Sequence, residues 1–181
     1  DDDTESRVMP LHNFILTTEP LGARAASLIP NREAAADSRF VVYYWRLTKD
    51  NRLLFGGGET YGTAFPQDIK AFVRPHMLKL YPELADVRID YAWGGTLAVT
   101  MKRLPYLRRL RPGLYTACGY SGQGVGTATF AGKLLAEAIA GESERFDVFS
   151  KLPAPSFPGG RMFRAPTLAL AMTWYALRDR L

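Results

Sequence analysis

Residues 119–126 read Gly-Tyr-Ser-Gly-Gln-Gly-Val-Gly and run directly into Thr-Ala-Thr-Phe-Ala-Gly-Lys-Leu-Leu-Ala-Glu-Ala-Ile-Ala-Gly. A short apolar run at 114–118 precedes the glycines, and the pattern after them predicts a helix over 125–140. A strand that enters Gly-x-x-Gly-x-Gly and then a helix has a definite chemical use. The first N–H groups of a helix have no partner, and the aligned peptide dipoles put partial positive charge there. Glycines let the polar edge of a ligand approach that backbone, so the spacing suits an anion or a group that gains negative charge. The other residue types capable of chemistry offer less. His12 and His76 are far apart, with no acid or nucleophile at motif spacing, and both read as structural. No metal site is expected. Cys118 ends a buried-looking strand and reads as a small hydrophobe, with a redox role as the alternative.

The dinucleotide fingerprint Gly-x-Gly-x-x-Gly does not fit this loop. Gly122 and Gly124 supply two glycines, but the third position is Thr127. Asp147 is near the distance of the ribose-binding acid, yet the intervening sequence is not a clean βαβ unit. Two readings of the loop stay open from the residues alone: a ligand-facing helix start, and glycines required only for tight strand–helix packing.

The elements that must position this loop are mixed. Residues 11–18 read as a strand, 21–29 as weakly helical or irregular, and 31–39 as loop or short helix. Residues 40–47 and 53–55 flank Lys49-Asp50-Asn51 and predict a hairpin, ended by Gly56, Gly57 and Gly58. Residues 66–81 have helical spacing, with Pro66 early and Pro75 expected to kink or divide the helix. Residues 87–100 alternate and predict two strand segments joined at Gly94-Gly95. Residues 104–112 read as a basic connection, 157–160 as a turn, and 166–180 as a final helix. The fold class expected is α+β: a mixed, largely antiparallel sheet with helices on one side.

The chain has 181 residues, 47% hydrophobic and 23% charged, which is ordinary globular composition. A single cysteine makes a reducing, cytoplasmic setting the simpler reading. The net charge is +5 and the pI about 9.4. The excess sits in Lys102, Arg103, Arg108, Arg109 and Arg111, one cluster around Pro105 and Pro112. This reads as a solvated loop, and no nucleic-acid partner is expected. The longest apolar stretch, at 167–177, is too short for a membrane span. The chain opens on Asp1-Asp2-Asp3 without an initiator methionine or signal peptide, which fits a piece of a longer protein.

The loop and its helix resemble the carboxyl-terminal motif of the D-amino-acid oxidase and glycine oxidase superfamily of FAD-dependent oxidoreductases. Three further segments resemble the same family in the same order: Arg-Leu-Thr-Lys-Asp-Asn-Arg-Leu-Leu-Phe-Gly-Gly-Gly at 46–58, the sequence at 88–107, and that at 157–181, which is similar to the end of gamma-glutamylputrescine oxidases. Nearly all of the chain from Val8 onward is covered. The resemblance implies a substrate-binding domain at 1–112, and the carboxyl-terminal remainder of an FAD-binding domain with terminal helices at 113–181. It implies that Gly119, Tyr120, Ser121, Gly122, Gln123, Gly124 and Val125 contact the flavin. It implies oxidation of a primary or secondary amine or amino acid by hydride transfer to FAD, with O2 as acceptor.

The family's amino-terminal Gly-x-Gly-x-x-Gly unit has no counterpart in these residues. The expectation is therefore a chain that is inactive by itself, with FAD belonging to the complete protein. The apolar face left by the absent unit would then favour a homo-oligomer. Tyr44 and Arg46 share a strand face by their i, i+2 spacing. By the resemblance they belong to the substrate region, where Arg46 either pairs with a substrate carboxylate or is a surface residue. Trp93 is either a pocket wall or plain core. A standalone, non-catalytic binding domain derived from the same fold is the competing reading. No residue dictates which amine is the substrate, and no catalytic residue is assigned.

Overall fold

The computed structural model describes residues 1–39, 41–60 and 64–178. The elements in chain order are α1 (Asp2–Arg7), β1 (Val8–Thr18), α2 (Arg24–Leu28), β2 (Ala35–Ala36), β3 (Tyr44–Leu47), β4 (Leu53–Thr60), α3 (Ile69–Leu80), β5 (Ile89–Thr100), β6 (Tyr106–Arg111), β7 (Leu114–Cys118), α4 (Gly124–Ile139), α5 (Glu144–Ser150) and α6 (Gly160–Arg178). A 3-10 turn, Pro82–Leu84, follows α3. One sheet has the order β2-β3-β4-β1-β5, and β6 and β7 form a second, two-stranded sheet. The β1–β4, β2–β3, β3–β4 and β6–β7 pairs are antiparallel. The fold is the expected α+β class.

The chain divides into two compact units, His12–Thr96 with Leu170–Leu181, and Asp1–Leu11 with Leu97–Ala169. In the first unit, alternate residues of the sheet face α3. Phe14, Leu16, Leu53, Phe55, Val73, Met77 and Leu84 are all fully buried in one cluster. Burial of each such side chain stabilises by about 1.5–3 kcal/mol. The β3–β4 turn closes as its residues dictate. Asn51 takes a positive φ of 63°, and Thr48 Oγ1 donates to Asp50 at 2.7 Å while accepting from the Arg52 amide at 3.0 Å.

Four expectations change here. Gly56, Gly57 and Gly58 do not end the hairpin; β4 continues through them to Thr60. Their missing side chains make room for aromatic rings. A Cβ on Gly56 would lie 2.0 Å from the Tyr44 ring, one on Gly57 2.9 Å from Tyr43, and one on Gly58 2.7 Å from Phe72. Gly58, at φ +79°, lies within a register shift against β1 between Asn13 and Ile15. β5 is likewise one strand, because Gly94 leaves room for Phe14, whose ring would sit 2.6 Å from an added Cβ. Helix α3 starts after Asp68, which caps Ala71 N at 2.9 Å, and it runs unbroken past Pro75. Pro75 and Ala71 are both exposed, so the carbonyl that loses its donor can meet water while Val73 and Met77 stay packed. Residues 35–36 of the expected loop or short helix form the edge strand β2.

In the second unit, α4 and α5 pack on the β6–β7 hairpin through Leu107, Ala131, Leu134, Ala138 and Phe146. Residues 106–111, expected as a basic loop, are strand β6. The Arg108 guanidinium donates to the carbonyls of Ser150 and Leu152, the latter at 3.0 Å, and Arg109 lies 5.0 Å over the Tyr115 ring. Two of the basic residues are thus tied into the hairpin. Gly141, at φ +101°, ends α4 as its position predicts.

Candidate functional site

The glycine loop lies between β7 and α4, inside one unit. Gly119, Ser121 and Gly122 have φ of +70°, +51° and +92°. This run of left-handed residues turns the chain sharply from strand to helix. Ser121 fastens the turn. Its amide donates to Ala98 O at 3.0 Å, its Oγ accepts from Thr100 N at 3.1 Å, and the hydroxyl donates to Gly119 O at 3.1 Å. Gly119 has to be glycine, since a Cβ there would lie 2.6 Å from Thr100 Cγ2. Tyr120 points inward against the hairpin core, with its hydroxyl on Ala117 O at 3.0 Å. Burial pushes its phenol upward.

The outer side of the loop is open. Gln123 holds the N-cap position of α4 without a side-chain cap bond, and the first turn carries no acidic residue. By helix geometry the N–H groups of Gly124, Val125 and Gly126 have no acceptor within the helix. Val125 is 99% exposed, and a Cβ added to Gly122 or Gly126 would meet nothing within 4 Å. A positive dipole end, free donors and bare backbone therefore coincide at one place. These residues fit the edge of a flavin ring, which takes up negative charge on reduction.

In the other unit, the sheet has one face packed on α3 and one face turned away from it. Register and alternation set Asn13, Ile15 and Thr17 of β1, Tyr44 and Arg46 of β3, and Leu54, Gly56 and Glu59 of β4 on that second face. Gly94 faces the core through Phe14, so Trp93 on β5 points to the second face, 43% exposed. Tyr44, paired with Gly56, lies across it and donates its hydroxyl to Asn13 Oδ1 at 2.7 Å. Burial first, then the nearby Glu59 carboxylate, pushes the Tyr44 phenol up to about 12. Arg46 is exposed. The face thus gathers Tyr44, Arg46 and Trp93. It also gathers Asn13, Gly56 and Glu59, which the sequence did not single out. Their partnership depends on β1–β4 pairing across some 40 residues with a register shift, which no local pattern encodes.

The remaining candidates have internal roles. His76 Nδ1 lies 2.7 Å from the Tyr43 hydroxyl, and burial pulls its pKa below the ordinary value. His12 lies 3.0 Å from Thr96 Oγ1 and edge-on to Phe65. Cys118 is half-buried beside Thr116, and burial raises its thiol. Among the described residues no cluster of metal-ligating side chains occurs, and no helix is long and apolar enough to cross a membrane.

The chain is 49% identical over 177 residues to the probable oxidoreductase OrdL of Rhizobium meliloti (strain 1021), covering 98% of this chain and 41% of that protein. It is 46% identical over 176 residues to the gamma-glutamylputrescine oxidoreductase of Escherichia coli (strain K12), covering 97% and 41%. The chain therefore spans about 41% of the length of these curated relatives. Glycine oxidase from Geobacillus kaustophilus shares the fold, with a TM-score of 0.59 at 22% identity over 75% of this chain and 36% of that one. The FAD dependent oxidoreductase family, DAO, matches residues 1–138. With three quarters of its length matched by that family, and relatives near half identity along almost all of it, the chain belongs to the DAO family of FAD-dependent oxidoreductases.

Proposed function

We propose that this chain is the substrate-binding and carboxyl-terminal flavin-contacting portion of an enzyme that oxidises a primary or secondary amine or amino acid, with FAD as cofactor and O2 as electron acceptor. The observation that carries the reading is the uncapped, acid-free start of α4 behind a glycine loop with open space outside it. Bound flavin would supply the hydride acceptor for the carbon beside the amine. The backbone of Gly119, Tyr120, Ser121, Gly122, Gln123, Gly124 and Val125 holds the ring edge, and the helix start stabilises the charge it gains. Tyr44, Arg46 and Trp93 line the substrate region, with Arg46 as the partner for a carboxylate. In this reading residues 1–112 serve the substrate and 113–181 complete the flavin domain.

The name of the relative from Escherichia coli supports gamma-glutamylputrescine as the substrate. A reducing, cytoplasmic setting belongs to the same proposal, with Cys118 as its sole cysteine. So does self-association of the isolated chain, supported by the exposed apolar side chains of Val125, Ile139 and Val148. The test is a panel of amines, gamma-glutamylputrescine included, offered to the flavin-loaded full-length protein with hydrogen peroxide as the readout. Peroxide release with an amine is expected. A flavin-loaded protein that releases none with any member of the panel would defeat the proposal.

A further inference from the structure

The open sheet face holds a hydrogen-bond donor that the amine-oxidase reading does not yet use. Asn13 Oδ1 accepts the Tyr44 hydroxyl at 2.7 Å. Tyr44 reaches Asn13 only by crossing β4, and β4 lets it cross because position 56 is glycine. The phenol keeps its proton, since burial first and then Glu59 push it up to about 12, and it therefore stays a donor that favours Oδ1 on its side. A planar amide whose oxygen is held on one side presents its nitrogen on the other. Among the described residues nothing bonds to that nitrogen. Asn13 is half-buried, and the nitrogen is not sealed from the face. The result is an oriented N–H2 group on the open face with no protein acceptor.

A neutral, oriented donor of this kind suits a carbonyl oxygen. When a ligand covers the face, the donor loses water, and leaving it unpaired then costs more than pairing it gains. A site built around such a group selects the ligand that brings the acceptor and rejects the analogue that lacks it. Gamma-glutamylputrescine, the substrate proposed above, has a primary amine at one end of its diamine chain and an amide at the other. The amide oxygen is such an acceptor. We propose that Asn13 donates its side-chain N–H to the acyl oxygen of a diamine acylated at one end, with Tyr44 holding the Asn13 amide in the orientation that presents the donor. Asn13 is then a specificity-determining residue and Tyr44 a positioning residue, and neither takes part in the oxidation itself. The inference rests on the amine-oxidase reading above.

The test compares N-acetyl-1,4-diaminobutane with 1-aminoheptane on the flavin-loaded full-length protein. The two amines have equal chain length, and only the first carries an acyl amide. The parent should favour the acylated amine in kcat/KM. Asn13→Asp keeps the shape of the side chain and the bond from Tyr44 but exchanges the donor for a lone pair. The preference should then fall about fivefold, through KM and not kcat, as expected for loss of one neutral hydrogen bond. Asn13→Leu should lower it in the same way. Tyr44→Phe keeps the ring over Gly56 and drops only the hydroxyl, and should lower the preference about threefold, again through KM. Flavin absorbance confirms the loading of each variant, and the isosteric Asn13→Asp carries the test if Asn13→Leu folds poorly. A preference as large as the parent's in flavin-loaded Asn13→Asp or Tyr44→Phe overturns the proposal, as does a fall that lies in kcat. A parent that shows no preference for the acylated amine also overturns it, and so does one that oxidises other amines of the panel but not this one. A flavin-loaded parent that oxidises neither amine, nor any in the wider panel, overturns the amine-oxidase reading itself, and this inference with it.

Discussion

Thr100 donates its amide to the Ser121 hydroxyl at 3.1 Å, so the Ser121 side chain adds a second tie between the end of β5 and the glycine loop, beside the Ser121 amide on Ala98 O. Thr100 is almost fully buried, and its amide would have no ready access to water if the hydroxyl were lost. Ser121→Ala should cost about 1–3 kcal/mol, the range for leaving a buried donor without a partner. Thermal melting of the parent and the variant measures this. Flavin retention in the full-length protein should fall with it, because the loop keeps only the backbone tie from the Ser121 amide to Ala98 O.

Gly122 and Gly124 separate two causes of flavin loss. Gly122 has φ +92°, and nothing lies within 4 Å of an added Cβ, so Gly122→Val strains the backbone without crowding it. Gly124 has no such φ, and an added Cβ meets only Tyr120 at 3.8 Å. Gly124→Val should therefore leave the fold intact and still empty the flavin, by placing a side chain where the ring edge approaches. Flavin absorbance together with melting temperature reads both effects. A Gly124→Val protein with its full flavin complement would remove the loop from the cofactor site.

Arg46 is exposed on the same sheet face as Tyr44. Arg46→Ala should raise KM roughly tenfold for amines that bear a carboxylate and leave amines without one unaffected, as loss of one charged pair implies. Steady-state kinetics with a matched pair of substrates decides this. Equal KM values in parent and variant would return Arg46 to the role of a surface residue.

His76 predicts a pH dependence of stability. Burial, and then the positive charges of Lys79 and Arg39, hold its pKa below the ordinary 6.5, so the folded state prefers the neutral ring facing the Tyr43 hydroxyl. The unfolded chain takes up a proton first as pH falls. The contribution is therefore fully present above about 6.5 and is lost as pH drops through 6.5 toward the folded-state value. Melting temperatures at pH 8 and pH 5.5 should differ less in His76→Gln than in the parent.

The sequence revealed the loop and the helix behind it because both are local. Left-handed glycines, a helix period and a terminal glycine all lie within about two dozen residues, and 124–139 formed within one residue of expectation. The β3–β4 turn was legible for the same reason, since Asn51 adopts φ +63° inside its own three-residue loop. The glycines at 56–58 and 94 misled because a glycine that breaks a strand and one that accommodates a ring from another strand look alike in a single chain. Tyr44, Tyr43 and Phe72 fill the spaces at 56, 57 and 58, and Phe14 fills that at 94, and none of these rings lies in the same element as its glycine. Residues 106–111 carry four basic or proline-flanked positions and looked like loop, but their pairing with 114–118 and the carbonyls that hold Arg108 decide the outcome. Glu59 and Asn13 were invisible as a pair for want of register.

The Tyr44 ring lying across Gly56 makes these two positions a single unit of variation. Neither can change freely while the other stays, because any side chain at 56 competes for the space of a ring carbon 2.0 Å away. Gly56→Ala should thus be harmful alone and become tolerable beside a smaller residue at 44, so that a second-site suppressor screen begun from Gly56→Ala should return to Tyr44. A designer who wishes to reshape the face must move both positions in one step.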